Sequence, residues 1–218
     1  MKKSIICLSL IFTFLLSGCD NKIKLEEKGA SFYDKENDIL YVPCAERAVR
    51  PLQVGEEYAT DGKLTYYTIP WQEPKEFICD NVGGVSIVYR ASTIEDITVN
   101  NFNPIAIRVY MEGLSSRYLT TFYCEQKYLD EEDKNPNLQD DSELVYSIRD
   151  SLIYDEKVSV TAELTDKMYY LRLLSADYPG LYYTVVYVTD VNGEQYLLDR
   201  GTNQYVLARD DLVARMGF

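Results

Sequence analysis

The chain has 218 residues, with Lys+Arg 22 against Asp+Glu 35, a net charge of −13 and no histidine. An acid excess of this size argues against nucleic-acid binding, which needs a basic footprint for phosphates, and against broad adhesion to anionic lipid. The missing histidine excludes Ser-His-Asp and Cys-His catalysis in their usual forms, and His-ligated zinc or haem.

Lys2 and Lys3 form a positive n-region, and residues 5–16 form an apolar run. The run has the length of a signal-peptide h-region and is short for a membrane span. It ends in Leu16-Ser17-Gly18-Cys19, which resembles the lipobox of bacterial lipoproteins. The resemblance implies cleavage after residue 18 and acylation of Cys19. Several acyl chains, at about 0.8 kcal/mol per buried methylene, anchor a protein stably. The chain is then expected on the periplasmic face of a membrane. Asp20 resembles the retention signal of enterobacterial lipoproteins and favours the inner membrane. Cleavage removes Lys2 and Lys3 and no acid, so the remainder is more acidic still.

Residues 19–31 are polar and charged and read as a tether. From there the apolar period is two. Residues 39–42 follow the turn pair Asn37-Asp38, residues 64–69 follow Gly62-Lys63, and residues 85–89 follow Gly83-Gly84. Residues 105–111 and 118–128 alternate again. These are strands separated by turn residues. The 20 tyrosines fit this reading, because aromatic side chains suit a pleated, half-buried surface.

Residues 130–142 break the pattern with a run of acids and read as an exposed linker. Strands resume at 158–164, 168–174, 181–189, 194–199 and 204–208, with a hairpin turn at Asn192-Gly193. The last residues, from Asp210, suit one amphipathic helical turn carrying Leu212, Val213 and Met216. A weak echo links Val109-Tyr110 and Tyr118-Leu119 to Val186-Tyr187 and Tyr196-Leu197. Together with the acidic linker it suggests a mainly β protein of two small immunoglobulin-like sandwiches, at 32–129 and 143–218.

Trp71, the single tryptophan, lies between Pro70 and Pro74 and is a candidate partner-binding anchor. Asp130, Glu131, Glu132 and Asp133 are candidates for docking a basic partner. Arg47 and Arg50 have the chemistry to grip a carboxylate, although surface charge is the simpler reading. Glu56-Glu57 and the acidic run lack the fixed geometry that glycoside hydrolysis needs. No catalytic residue, metal site or cofactor is expected. Cys44, Cys79 and Cys124 remain after the leader and the lipidated cysteine, so an oxidising compartment allows one disulfide in any of three pairings and one spare thiol.

The segments NDILYVPC (37–44), VGEEY (54–58), KLTYYTIPW (63–71), Cys79 and IAIRVYMEGLSSRYLTTFYC (105–124) are similar to small periplasmic lipoproteins assigned as type VI secretion immunity proteins. The resemblance covers about half of the mature chain and implies a Cys44–Cys79 disulfide. It also implies a function: binding a basic secreted toxin and occluding its active site, without turnover. The alternative is an accessory lipoprotein of envelope assembly that recruits a partner to the membrane. An enzyme acting on envelope polymers is a weaker reading.

Overall fold

The computed structural model describes residues 22–111, 116–124 and 140–216. Cys19 and Asp20, and Asp130, Glu131, Glu132 and Asp133, lie outside the described residues.

The chain is mainly β, as its alternation requires, but it forms a closed barrel and an open sheet in place of two sandwiches. The barrel strands are β1 (Ile23–Lys28), β2 (Ser31–Asp34), β3 (Ile39–Pro43), β5 (Glu57–Thr60), β6 (Thr65–Thr68), β7 (Phe77–Cys79) and β8 (Val88–Ala91). They run in the order β1-β2-β3-β8-β7-β6-β5. Pairing is antiparallel except where β1 meets β5 in parallel, Ile23 beside Ala59, and closes the ring. Closure removes the exposed edges that a seven-stranded sheet would otherwise carry. β1 falls within the segment expected to be a tether. Its Leu25 is buried in the barrel, while Glu26 and Glu27 stay outside.

The barrel interior is aromatic. Phe32, Tyr66 and Tyr89 meet at ring-centroid distances of 4.7–5.8 Å, with Leu25, Tyr41, Ala59 and Ile78 around them. Each tyrosine hydroxyl there finds an acceptor, as burial demands. Tyr41 donates to the Pro74 carbonyl (2.8 Å), Tyr66 to Asp61 (3.0 Å) and Tyr89 to Asp80 (3.5 Å).

The second sheet has the order β10 (Arg117–Tyr123), β9 (Pro104–Met111), β11 (Leu164–Ser175), β12 (Leu181–Asp190), β13 (Gln195–Asp199), β14 (Gln204–Leu207). β9 pairs with both β10 and β11, so the boundary drawn at residues 130–142 runs through one sheet. A second tie crosses it. β4 (Val49–Pro51) leaves the barrel sequence and pairs with the start of β12, Leu181 to Tyr183, ahead of β13. The reason is visible in β7 and β8. Ile78 and Tyr89 point into the barrel, while Phe77, Cys79 and Val88 point outward and are equally buried. A wall that is apolar on both faces must be covered on both, and the sheet covers it with Ile107, Leu171, Leu173 and Tyr183.

Helix α1 (Ser142–Tyr154) lies against β9 and β10. Its buried positions Leu144, Val145, Ile148 and Leu152 repeat at helical spacing. Each large apolar side chain buried there contributes about 1.5–3 kcal/mol. The sequence pattern places this segment at the edge of a β-domain, because the acidic run before it masks the change of period. Helix α2 (Asp210–Met216) matches the expected terminal turn and buries Leu212. Its Arg215 pairs with Asp141 at the start of α1. Residues 158–163, expected as a strand, contribute only an isolated bridge from Val158 to Tyr205.

The three cysteines Cys44, Cys79 and Cys124 are buried free thiols. The implied Cys44–Cys79 disulfide is not formed, and the pairing explains why. β8 lies between the two: Cys79 is in register with Val88, and the Cys44 N–H donates to the Val88 carbonyl from the other side (2.9 Å). Two inter-strand spacings place the pair about 10 Å apart. A disulfide requires Cα atoms within about 7 Å.

Candidate functional site

Trp71 occupies a tight turn. Pro70 leads it, the Gln72 N–H donates to the Ile69 carbonyl (3.0 Å), and Trp71 itself has φ 67°. Proline second and a positive φ third mark a type II turn, whose third place normally goes to glycine or asparagine. A residue with a Cβ there costs about 1–2 kcal/mol. The indole is 72% exposed and so recovers little of that cost by burial. Trp71 does not fold back on the core.

The turn is held from below. The Gln72 amide donates to the Pro179 carbonyl. A Cβ at Gly180, whose φ is 83°, would run into the Pro70 carbonyl oxygen, so only glycine permits this approach. The Tyr41 hydroxyl secures the other side of the loop at Pro74. Beside it Tyr178 stacks on Phe102 at 5.6 Å and meets the edge of Phe77 at 6.4 Å. Burial raises the Tyr178 hydroxyl, and the carboxylates of Glu95 and Asp177 raise it further. An exposed indole therefore projects from a loop held on both sides.

A second feature lies along the β4–β12 seam. Arg47, Arg50, Arg172 and Arg200 line one cleft of about 400 Å³ with Tyr170 and Tyr182. Arg50 pairs across the seam with Tyr182, and Arg172 pairs with Thr184 on the adjoining strand. The barrel loop at Gly84 and Ser86 forms the opposite wall, and Arg50 donates to the Ser86 carbonyl. The Arg172 guanidinium lies 4.1 Å from the Tyr110 ring centre and 4.8 Å from that of Tyr182. Two such cation–π contacts orient it without neutralising its charge. Among the described residues, none of the four arginines has a carboxylate within ion-pair distance.

Arg47 and Arg50 are visible in the sequence as a pair, for which surface charge is the simpler reading. Arg172 and Arg200 were missed. Arg172 sits alone among Tyr169, Tyr170, Leu171, Leu173 and Leu174. A lone cation within a run of tyrosines and leucines was the available signal.

The remaining chemistry is quiet. Burial pushes the Cys44 and Cys79 thiols up to about 12, so neither is a thiolate near neutral pH. Cys124 is also raised by burial. Burial raises Asp80 as well, while the Ile87 N–H at 2.7 Å, the Tyr89 hydroxyl and Arg50 act the other way. Glu57 is exposed on β5 and pairs with Lys22. Among the described residues no group of three or more Cys, Asp or Glu side chains is placed to hold a metal ion. No described helix is long and apolar enough to cross a membrane. Comparison with protein-family models, with curated proteins and with solved structures gives no match.

Proposed function

We propose that this chain is a lipid-anchored protein on the periplasmic face of the membrane, and that it works by binding another protein without turnover. The partner proposed is a basic secreted toxin, occluded in the manner of an immunity protein. Trp71 carries the reading. Backbone strain retained at an exposed aromatic is a pointer to function, and tryptophan is enriched among residues that dominate binding energy. A loop already fixed by Gln72, Gly180 and Tyr41 loses little entropy on binding. Glu95 and Asp177, whose charges reach the hydroxyl of Tyr178 next to Pro179 and Gly180, favour a basic partner on this side of the molecule. The anchor rests on Leu16-Ser17-Gly18-Cys19.

The test is capture. The full chain in non-ionic detergent is exposed separately to proteins secreted by competitor cells and to envelope proteins of its own cell. A stoichiometric basic secreted protein, weakened about 30-fold by Trp71→Ala, is the expected result. Capture of envelope proteins alone would replace immunity with the accessory role. Capture that is indifferent to Trp71→Ala would remove the anchor from this loop.

A further inference from the structure

We infer that the arginine cleft is a binding site for a phosphate ester or diphosphate group. The inference does not depend on the Trp71 reading, because the two features use different residues.

Three observations converge. The first is the meeting of four guanidiniums from separate segments: Arg47 before β4, Arg50 within it, Arg172 on β11 and Arg200 after β13. In a chain with 35 acids to 22 bases, chance placement would set carboxylates among them. Other arginines do find acids, Arg90 with Asp96, Arg209 with Asp155 and Arg215 with Asp141. These four do not, among the described residues. Of the acids near the cleft, Asp80 is buried, accepts from the Ile87 N–H and feels the charge of Arg50 without reaching ion-pair distance, and Glu46 is exposed.

The second observation is preorganisation. Arg172 has its faces occupied by Tyr110 and Tyr182, which leaves its N–H edges to donate. Arg50 is held by the Ser86 carbonyl. Arg108 adds a further charge as the direct cross-strand neighbour of Arg172. Side chains held in this way lose little freedom when an anion arrives.

The third is size and charge. A cleft of about 400 Å³ suits a small molecule or a headgroup rather than a strand of polymer. One carboxylate would answer one guanidinium. A phosphate ester carries about −1.5 to −2 and three acceptor oxygens, and matches several forks at once. The tyrosine walls suit whatever apolar or sugar portion the phosphate carries.

The experiment is calorimetric titration of the full chain in non-ionic detergent with inorganic pyrophosphate, with citrate as the carboxylate control. Saturable binding of pyrophosphate, stronger than citrate and weakening as salt is added, is expected. Arg50→Ala and Arg172→Ala should each weaken it about tenfold or more. Arg172 packs between two rings, so Arg47→Glu serves as the variant that leaves the fold untouched and still weakens binding. Trp71→Ala should leave pyrophosphate binding unchanged, which separates this site from the protein-binding loop. Equal binding of citrate, no binding of pyrophosphate, or binding indifferent to Arg47→Glu and Arg172→Ala would overturn the inference. The source of the phosphate is read by displacement. Displacement by glycerol phosphate indicates a soluble ester. Displacement only by short-chain phosphatidic acid in the micelle indicates a lipid headgroup.

Discussion

The Trp71 turn and the arginine cleft both adjoin one seam, where β4 joins β12, and they are opposite in nearly every respect. The turn is convex, apolar at its tip and strained at φ 67°. The cleft is concave, cationic, and relaxed around two cation–π contacts. Yet both rest on the same kind of foundation, a buried tyrosine whose hydroxyl is committed. Tyr41 holds Pro74 under the turn. Tyr183 donates to Asp199 at 2.6 Å under the cleft, next to Arg200. Net charge, a single number, conceals both features. An acidic protein can carry a cationic concavity if its backbone gathers arginines from distant segments and sends the acids elsewhere.

Raising the pH should break both regions at once, and this is the largest effect expected. Burial raises Tyr41, Tyr66 and Tyr183, and raises Tyr89 to about 12. A raised native value means that the unfolded chain gives up its proton first. The stability is therefore intact below the ordinary tyrosine range, near 10, and is lost as pH climbs above it. Cys44 and Cys79, at about 12, begin the same loss nearer 9. Circular dichroism should be lost in step with the part of the tyrosinate absorbance that comes from these buried side chains. Full tyrosinate absorbance reached before any loss of circular dichroism would contradict the burial argument.

Gly180→Ala should break the turn selectively. It places a Cβ against the Pro70 carbonyl at a left-handed φ and should cost about 3 kcal/mol in denaturant unfolding. Tyr183→Phe should act on the cleft side instead. It removes a donor from buried Asp199, which keeps the Gly201 N–H and Thr202 hydroxyl, and should cost about 2 kcal/mol. Pyrophosphate binding should fall with it while partner capture through Trp71 stays.

The smallest effect is the most pointed. Trp71→Gly relieves a left-handed residue with little burial to lose, and should raise stability by about 1 kcal/mol. If it stabilises the fold and abolishes partner capture, the strain is retained for binding. If it destabilises, the indole has a structural role that its exposure does not reveal.

Much of the local structure was legible. The strands at 39–42, 64–69, 105–111 and 181–189 match β3, β6, β9 and β12 within a residue or two. The turn residues Asp38, Gly62, Gly83, Gly84 and Gly193 all have positive φ. β4 and β7 have three residues, too few for alternation to stand out, and β1 (IKLEEK), β2 (SFYD) and β5 (EYAT) hold too few apolar residues to mark a period. Helix α1 was hidden behind the acidic run, although Leu144, Ile148 and Leu152 carried its period. Of the candidate sites, the exposure of Trp71 was not decided by its flanking prolines, and the Cys44–Cys79 pairing failed because β8 intervenes.

The sequence by itself determined where strands and turns form, because alternation and backbone freedom are properties of neighbouring residues. Only the tertiary structure decided which strands meet. It closed β1 on β5, sent β4 to β12, kept Cys44 from Cys79 and gathered Arg47, Arg50, Arg172 and Arg200 around one cleft. Strand pairing is chosen by the sum of many distant contacts, each worth a fraction of a kcal/mol to about 1 kcal/mol. No spacing along the chain records that sum.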